Sequence, residues 1–264
     1  MSGRLPQTGW LAALHAAADR PPLKPRVPLW AGEARIGSVE PDVMRALSLP
    51  ERFATIDTWG GESGWRIHGD VTASLHEVAL AMREAGVAHA WRDEQLAVTD
   101  ASGARVGTVE RAVVRPLGIT TLAVHLVGQS SDGHHWVQQR SLTKPNDPGL
   151  WDTLMGGMVP ACDSMARALK RETWEEAGLR LAQLSRLRLG GRLTMRRPTS
   201  SGAGGYVVEH IEWYRCVVPD GVVPANQDGE VAQFRLMRAD ELLHRLERDE
   251  FTIEAALVMM QNGL

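Results

Sequence analysis

A chain of 264 residues with 44% hydrophobic and 23% charged side chains has the length of one large or two ordinary domains and ample material for a core. A net charge of −3 gives no electrostatic footing for nucleic acid or an anionic membrane surface, and no apolar run approaches the roughly 18 residues that span a bilayer. Cys162 and Cys216 supply neither a disulfide framework nor zinc spacing, and Trp10 to Ala18 is too short and too interrupted for a signal peptide, so a cytoplasmic protein is expected.

The first predicted element is a helix over 8–19, with Thr8 as its cap and Trp10, Leu11, Leu14 and Ala18 along one stripe. The prolines of 21–28 break it and lead to an extended piece at Val27–Trp30. A segment then recurs. Residues 34–47 and 104–117 share eight identities in fourteen positions at a constant offset of 70, around Ala34-Arg-Ile-Gly-Ser-Val-Glu40 and Ala104-Arg-Val-Gly-Thr-Val-Glu110. Each copy alternates and then turns to helical spacing, which predicts strand followed by short helix. Between them the sequence predicts a strand at 53–58, a glycine turn at 60–64, a strand near 65–68 and an amphipathic helix over 72–84 stopped by Gly86. Gln95–Thr99 pairs with the second copy as a hairpin. His68, His76 and His89 are scattered and have no catalytic spacing. A smaller α+β unit over 1–118 is expected.

From Thr121 the pattern changes. Residues 122–127 and 135–139 read as strands, and 140–149 as a loop enforced by two prolines and a glycine. A short strand over 151–155 delivers the chain to Gly156 and Gly157. After a helix come strands over 187–194 and 206–217 around a loop at 195–205, a turn and strand over 228–234, and helices over 240–247 and 251–260.

The helix that matters is predicted from about Asp163 to Ala177, with Asp163 as cap and Gly178 as stop. Glu172 has Glu175 three residues on and Glu176 four residues on, so the three carboxylates share a face beside Arg171. Such crowding is costly, and a bound divalent cation reverses the sign of the repulsion. Gly157, five residues, Asp163, seven residues, then Arg171-Glu172-Thr173-Trp174-Glu175-Glu176-Ala177-Gly178-Leu179 resembles the Nudix box. Asp163 stands where that family has Glu, and Thr173 where it has an aliphatic residue. The box lies within a unit expected over 119–264.

More of the chain is similar to one subgroup, the Nudix hydrolases associated with thiamine pyrophosphokinase. Trp91-Arg-Asp-Glu94, Glu110-Arg111, Gly118-Ile119, His125 with Gly128, Arg140-Ser141 with Lys144, Pro148-Gly149, and Asp228 to Val231 with Phe234 occur in that order. The resemblance implies an α/β/α sandwich with a mixed sheet, preceded by a distinctive N-terminal domain. It further implies hydrolysis of a small-molecule diphosphate, thiamine diphosphate or its damaged analogues, with Mg²⁺ or Mn²⁺. ADP-ribose or a nucleotide sugar is the alternative substrate, and a non-catalytic Nudix-fold binding module the alternative class. By the family pattern Glu175 and Glu176 ligate the metal with the Gly157 carbonyl, Glu172 is ligand or base, Arg171 orients the acids, and Glu230 is a further base or ligand. Arg140 and Lys144 are expected on the phosphates. With nine Trp against two Tyr and three Phe, an aromatic platform for the organic moiety is expected from Trp136, Trp151 or Trp91. Cys162 is expected as a small packing residue, and homodimer formation through the N-terminal region is left open.

Overall fold

The structure is a computed structural model describing residues 6–88, 90–199 and 204–264; His89 and part of the 195–205 loop lie outside the described residues. After α1 (Thr8–Ala18) come β1 (Val27–Ala31), β2 (Ala34–Val39), the short α2 (Pro41–Arg45), β3 (Ala54–Trp59) and β4 (Glu62–Ile67). They form a four-stranded sheet in the order β2-β1-β4-β3, antiparallel except for the parallel β1–β4 pair. Next are α3 (Val71–Glu84), capped by Asp70 Oδ1 on Ala73 N, and the hairpin of β5 (Gln95–Thr99) and β6 (Arg105–Glu110). Leu75, Val78, Ala79 and Met82 of α3 are buried in one core with Leu29, Ile36, Leu96 and Val109. Both sequence copies run as strand and then helical turn, although β2 sits in the four-stranded sheet and β6 in the hairpin.

The remaining strands form a seven-stranded mixed sheet. They are β7 (Thr120–Gln129), β8 (His135–Arg140), β9 (Trp151–Asp152), β10 (Met155–Met158), β11 (Ser185–Pro198), β12 (Tyr206–Val217) and β13 (Val231–Met237). The central order is β11-β12-β7-β8-β13, with β10 added to β7 and β9 to β8. Only the β12–β7 pair is parallel. Alternation along β7 sends Ala123 and Val127 into one core, with α5 (Ala239–Leu246) and α6 (Ile253–Gln261), and Val124 and Leu126 into another, with α4 (Met165–Ala177). That is the expected α/β/α sandwich with a mixed sheet.

Several expectations are corrected. Gln7, not Thr8, holds the cap position of α1, and no side chain caps it. The buried face of α1, Leu14 and Ala18, joins the α6 side of the sandwich instead of the core of the unit with which it was grouped. The predicted 151–155 strand is two strands, so Gly156 and Gly157 lie inside β10 opposite His125 and Val124. The strand predicted to end at 194 continues to Pro198, because Met195 is a fully buried core residue and pairs with Glu209.

Glycine matters differently in the two copies. A Cβ on Gly37 would stand 2.4 Å from the Leu117 carbonyl, a backbone atom, whereas on Gly107 it would meet Val71 and Thr72 side-chain atoms at 2.9–3.2 Å. Gly37→Ala is therefore expected to cost about 2 kcal/mol and Gly107→Ala about half that. Parallel thermal melts of the two variants check the order; equal losses would contradict it.

Candidate metal and diphosphate site

The site lies where α4 crosses the end of β10. Ser164 caps α4, its hydroxyl accepting from Arg167 N at 3.3 Å, and Gly178 ends it in the left-handed region at φ 63°. Asp163 is thus not the cap. Its carboxylate turns inward to accept from Arg171 Nε at 3.0 Å, because Ser164 already satisfies the first turn. The polar Thr173 is fully buried, yet its hydroxyl donates to the Leu169 carbonyl at 2.6 Å, so the apolar contact of α4 survives.

Three carboxylates project from this helix in different environments. Glu175 is 41% exposed and accepts from Arg171 Nη1 at 2.7 Å. Glu172 is 14% exposed, 2.9 Å from Arg171 Nη2. A Cβ on Gly157 would fall 2.4 Å from the Glu172 carboxyl carbon, so only glycine lets this acid rest against β10. Glu176 is 2% exposed and accepts from Gly156 N at 3.0 Å, Gln138 Nε2 at 2.8 Å and Lys144 Nζ at 3.2 Å. Lys144 also bonds Glu230 Oε2 at 2.6 Å.

Burial pushes the Glu172 carboxyl up to about 7, with Arg171 opposing and the neighbouring glutamates adding to the rise. Burial also raises Glu176 against the pull of Lys144. Glu230 resists its own desolvation and lies below the usual range, because Lys144 donates to it and Arg92 and Arg111 add positive potential.

These groups border a cleft of about 490 Å³. It is lined by Gly157, Arg171, Glu172, Glu175, Glu176 and Glu230, together with Arg140 and Lys144. The two cations are nonetheless committed. Lys144 is held by two acids, and Arg140 donates to the Asn146 and Asp147 carbonyls and lies 3.4 Å from Asp152. The tryptophans are not brought to the cleft. Trp151 is buried on β9 with the Arg245 guanidinium 5.7 Å from its ring centroid, Trp136 packs against the α4-side core, and Trp91 lies under Arg83. Cys162 is exposed, not packed.

Other residues of the site escaped the sequence reading. Gln138 orients Glu176, and two further acids lining the cleft, the buried Glu209 and the half-buried Glu254, are paired with Arg115 at 2.7 Å and Arg197 at 3.4 Å. The available signal was a lone acid at an inward position of an apolar strand or helix, which requires a partner. Among the described residues, no three acidic, histidine or cysteine side chains are gathered tightly enough to hold a metal as they stand. Arg171 and Lys144 lie among these acids as their counter-charge.

The NUDIX domain family matches residues 119–257. The chain is 28% identical over 194 residues to the chloroplastic Nudix hydrolase 20 of Arabidopsis thaliana, covering 69% of this chain and 49% of that one. It is 37% identical over 95 residues to an uncharacterized Nudix hydrolase of Pseudomonas aeruginosa, covering 36% and 52%. The chain spans about half the length of the curated relatives it matches. A solved protein from Deinococcus radiodurans superposes with a TM-score of 0.51 at 21% identity, over 63% of this chain and 98% of that one, and shares the fold.

Two outcomes follow from the geometry. Gly157→Ala displaces only the end of the Glu172 side chain, so the fold is expected to hold while Mn²⁺ affinity falls by about tenfold or more, read by calorimetry. The Glu172 carboxyl is raised on folding, so its contribution is fully present below the ordinary carboxylate range and is lost as pH climbs through about 7. Chelator-treated protein should lose up to about 3 kcal/mol of stability across that window. Glu172→Gln should flatten that part of the profile, and an unchanged slope would contradict the assignment.

Proposed function

The chain belongs to the NUDIX family, and we propose that it is a divalent-metal-dependent pyrophosphohydrolase whose reacting end is the wall of Glu172, Glu175 and Glu176. The residues present suit a hard cation. They offer carboxylate oxygens and the Gly157 carbonyl, and Gln138 Oε1 is buried beside Glu176 with no donor among the described residues. Mg²⁺ or Mn²⁺ bound there would polarise phosphoryl oxygens and lower the pKa of a water. Glu175, Glu176 and the Gly157 carbonyl hold the ion, and Glu172 serves as a further ligand or as the base. Glu230, across the cleft on Lys144, is the other candidate for proton removal. Arg171 aligns Glu172 by an ion pair and Glu175 by a hydrogen bond while Asp163 holds it.

The observation that carries this function is convergence. Arg92, Glu94, Arg111, His125, Arg140, Lys144 and Glu230 are separated by up to 138 positions in the chain (230 − 92), yet all border the same cleft as the box carboxylates. They are also residues of the short motifs that resemble the thiamine pyrophosphokinase-associated subgroup. That coincidence supports thiamine diphosphate or its damaged analogues as substrate, cleaved to monophosphate and phosphate. The cleft has no tryptophan wall, so a stacking platform is not part of the proposal. ADP-ribose is the competing substrate.

Glu176→Gln keeps the shape and removes the charge, and should lower kcat/KM by about 100-fold or more, with the circular dichroism spectrum intact. Full activity with Mg²⁺ present would remove Glu176 from the metal site. Comparing kcat/KM for oxythiamine diphosphate, thiamine diphosphate and ADP-ribose under one metal condition tests the substrate. A higher value for ADP-ribose would overturn the subgroup while leaving the hydrolase in place.

A further inference from the structure

The cleft is walled by acids that repel an anionic substrate, and the obvious cations are already engaged. Lys144 lies between Glu176 and Glu230, Arg171 between Asp163, Glu172 and Glu175, and Arg140 among loop carbonyls and Asp152. Arg111 is paired with Glu94 at 2.5 Å and Arg115 with Glu209. Arg92 is different. Its side chain is exposed on the cleft wall and forms no ion pair among the described residues.

The turn that carries Arg92 is built with care for its backbone. Asp93 adopts φ 55°, which a non-glycine residue rarely accepts. The conformation is held from three sides. Trp91 Nε1 donates to Asp93 Oδ1 at 2.7 Å, Arg92 N donates to the buried Glu110 Oε1 at 3.0 Å, and Arg111 N donates to the Glu94 carbonyl at 2.8 Å. Glu110 is 1% exposed, and its Oε1 also accepts from Ala112 N. A strained turn fixed by a buried acid, with one uncommitted guanidinium at its tip facing the cleft, is a device for presenting that charge.

We propose that Arg92 is a substrate-binding residue that takes a phosphate group of the diphosphate, so that the segment preceding the NUDIX domain supplies part of the site. A guanidinium binds two phosphate oxygens in parallel, and its charge offsets Glu230 and the box acids as the anion enters. Glu110 acts through the turn as a positioning residue. The inference rests on the diphosphatase reading.

The test is calorimetric titration of the full chain, in the presence of Mg²⁺, with the non-hydrolysable diphosphate imidodiphosphate. Arg92→Ala is expected to weaken binding by about tenfold or more and, with thiamine diphosphate as substrate, to raise KM more than it lowers kcat, with an unchanged melting temperature because the side chain is exposed. Arg92→Lys should recover part of the loss. Arg35→Ala, an exposed arginine outside the cleft, should bind as the wild type does. If the wild type binds imidodiphosphate and Arg92→Ala binds it equally well, the inference fails and the diphosphatase reading stands. If the wild type does not bind it at all, both fail.

Discussion

A carboxylate placed almost wholly out of water must find donors, and Glu176 shows what that requirement organises. Its partners come from three separate places: the backbone of β10, a side chain of β8 and a lysine in the loop between β8 and β9. An unmet buried charge costs several kcal/mol, so these elements are obliged to arrive in register. The end of the sheet is therefore shaped by a charge as much as by apolar packing. Glycine at 156 and 157 completes the arrangement, because a side chain at either position would collide with His125 or Glu172.

The acids around the cleft are balanced in advance. Arg171 and Lys144 lie where their charge offsets several glutamates at once, and both are raised on balance because those acids outweigh the desolvation of the cations. On the proposed function, metal binding at such a place would be an exchange of counter-charges, with the protein's own cations giving up contacts to the ion. Affinity then reflects a difference between two well-satisfied states, and should be more sensitive to pH and ionic strength than a ligand count suggests.

Much of this was legible in the sequence because the informative residues sit at short, fixed spacings. Alternation along 122–127 and helical spacing over 163–177 depend on neighbours only, and both elements form close to where local pattern puts them. The box carboxylates belong to one helix, so their shared face follows from its pitch. What stayed hidden was long-range. Nothing local to Trp151 says that its ring lies under Arg245, nor that Lys144 reaches two acids 32 and 86 residues away (176 − 144 and 230 − 144). The cap of α4 was misplaced by one residue because Ser164 and Asp163 are both good caps, and Arg171, a turn and more along the helix, decides between them.

The position of α1 has a consequence for how the chain reaches its final state. Its buried face packs on α6, Gln7 N donates to Glu247, and Trp10 Nε1 donates to Asp249, partners 240 and 239 positions further along the chain. During synthesis the stripe of Trp10, Leu11 and Leu14 emerges well before β11 and α6, the elements that cover it. The four-stranded sheet, α3 and the β5–β6 hairpin can meanwhile condense on contacts that lie within the first half of the chain. Closure of the sandwich depends on these distant contacts and is expected to come late, which leaves the apolar helix open to chaperones or to other chains in the interval.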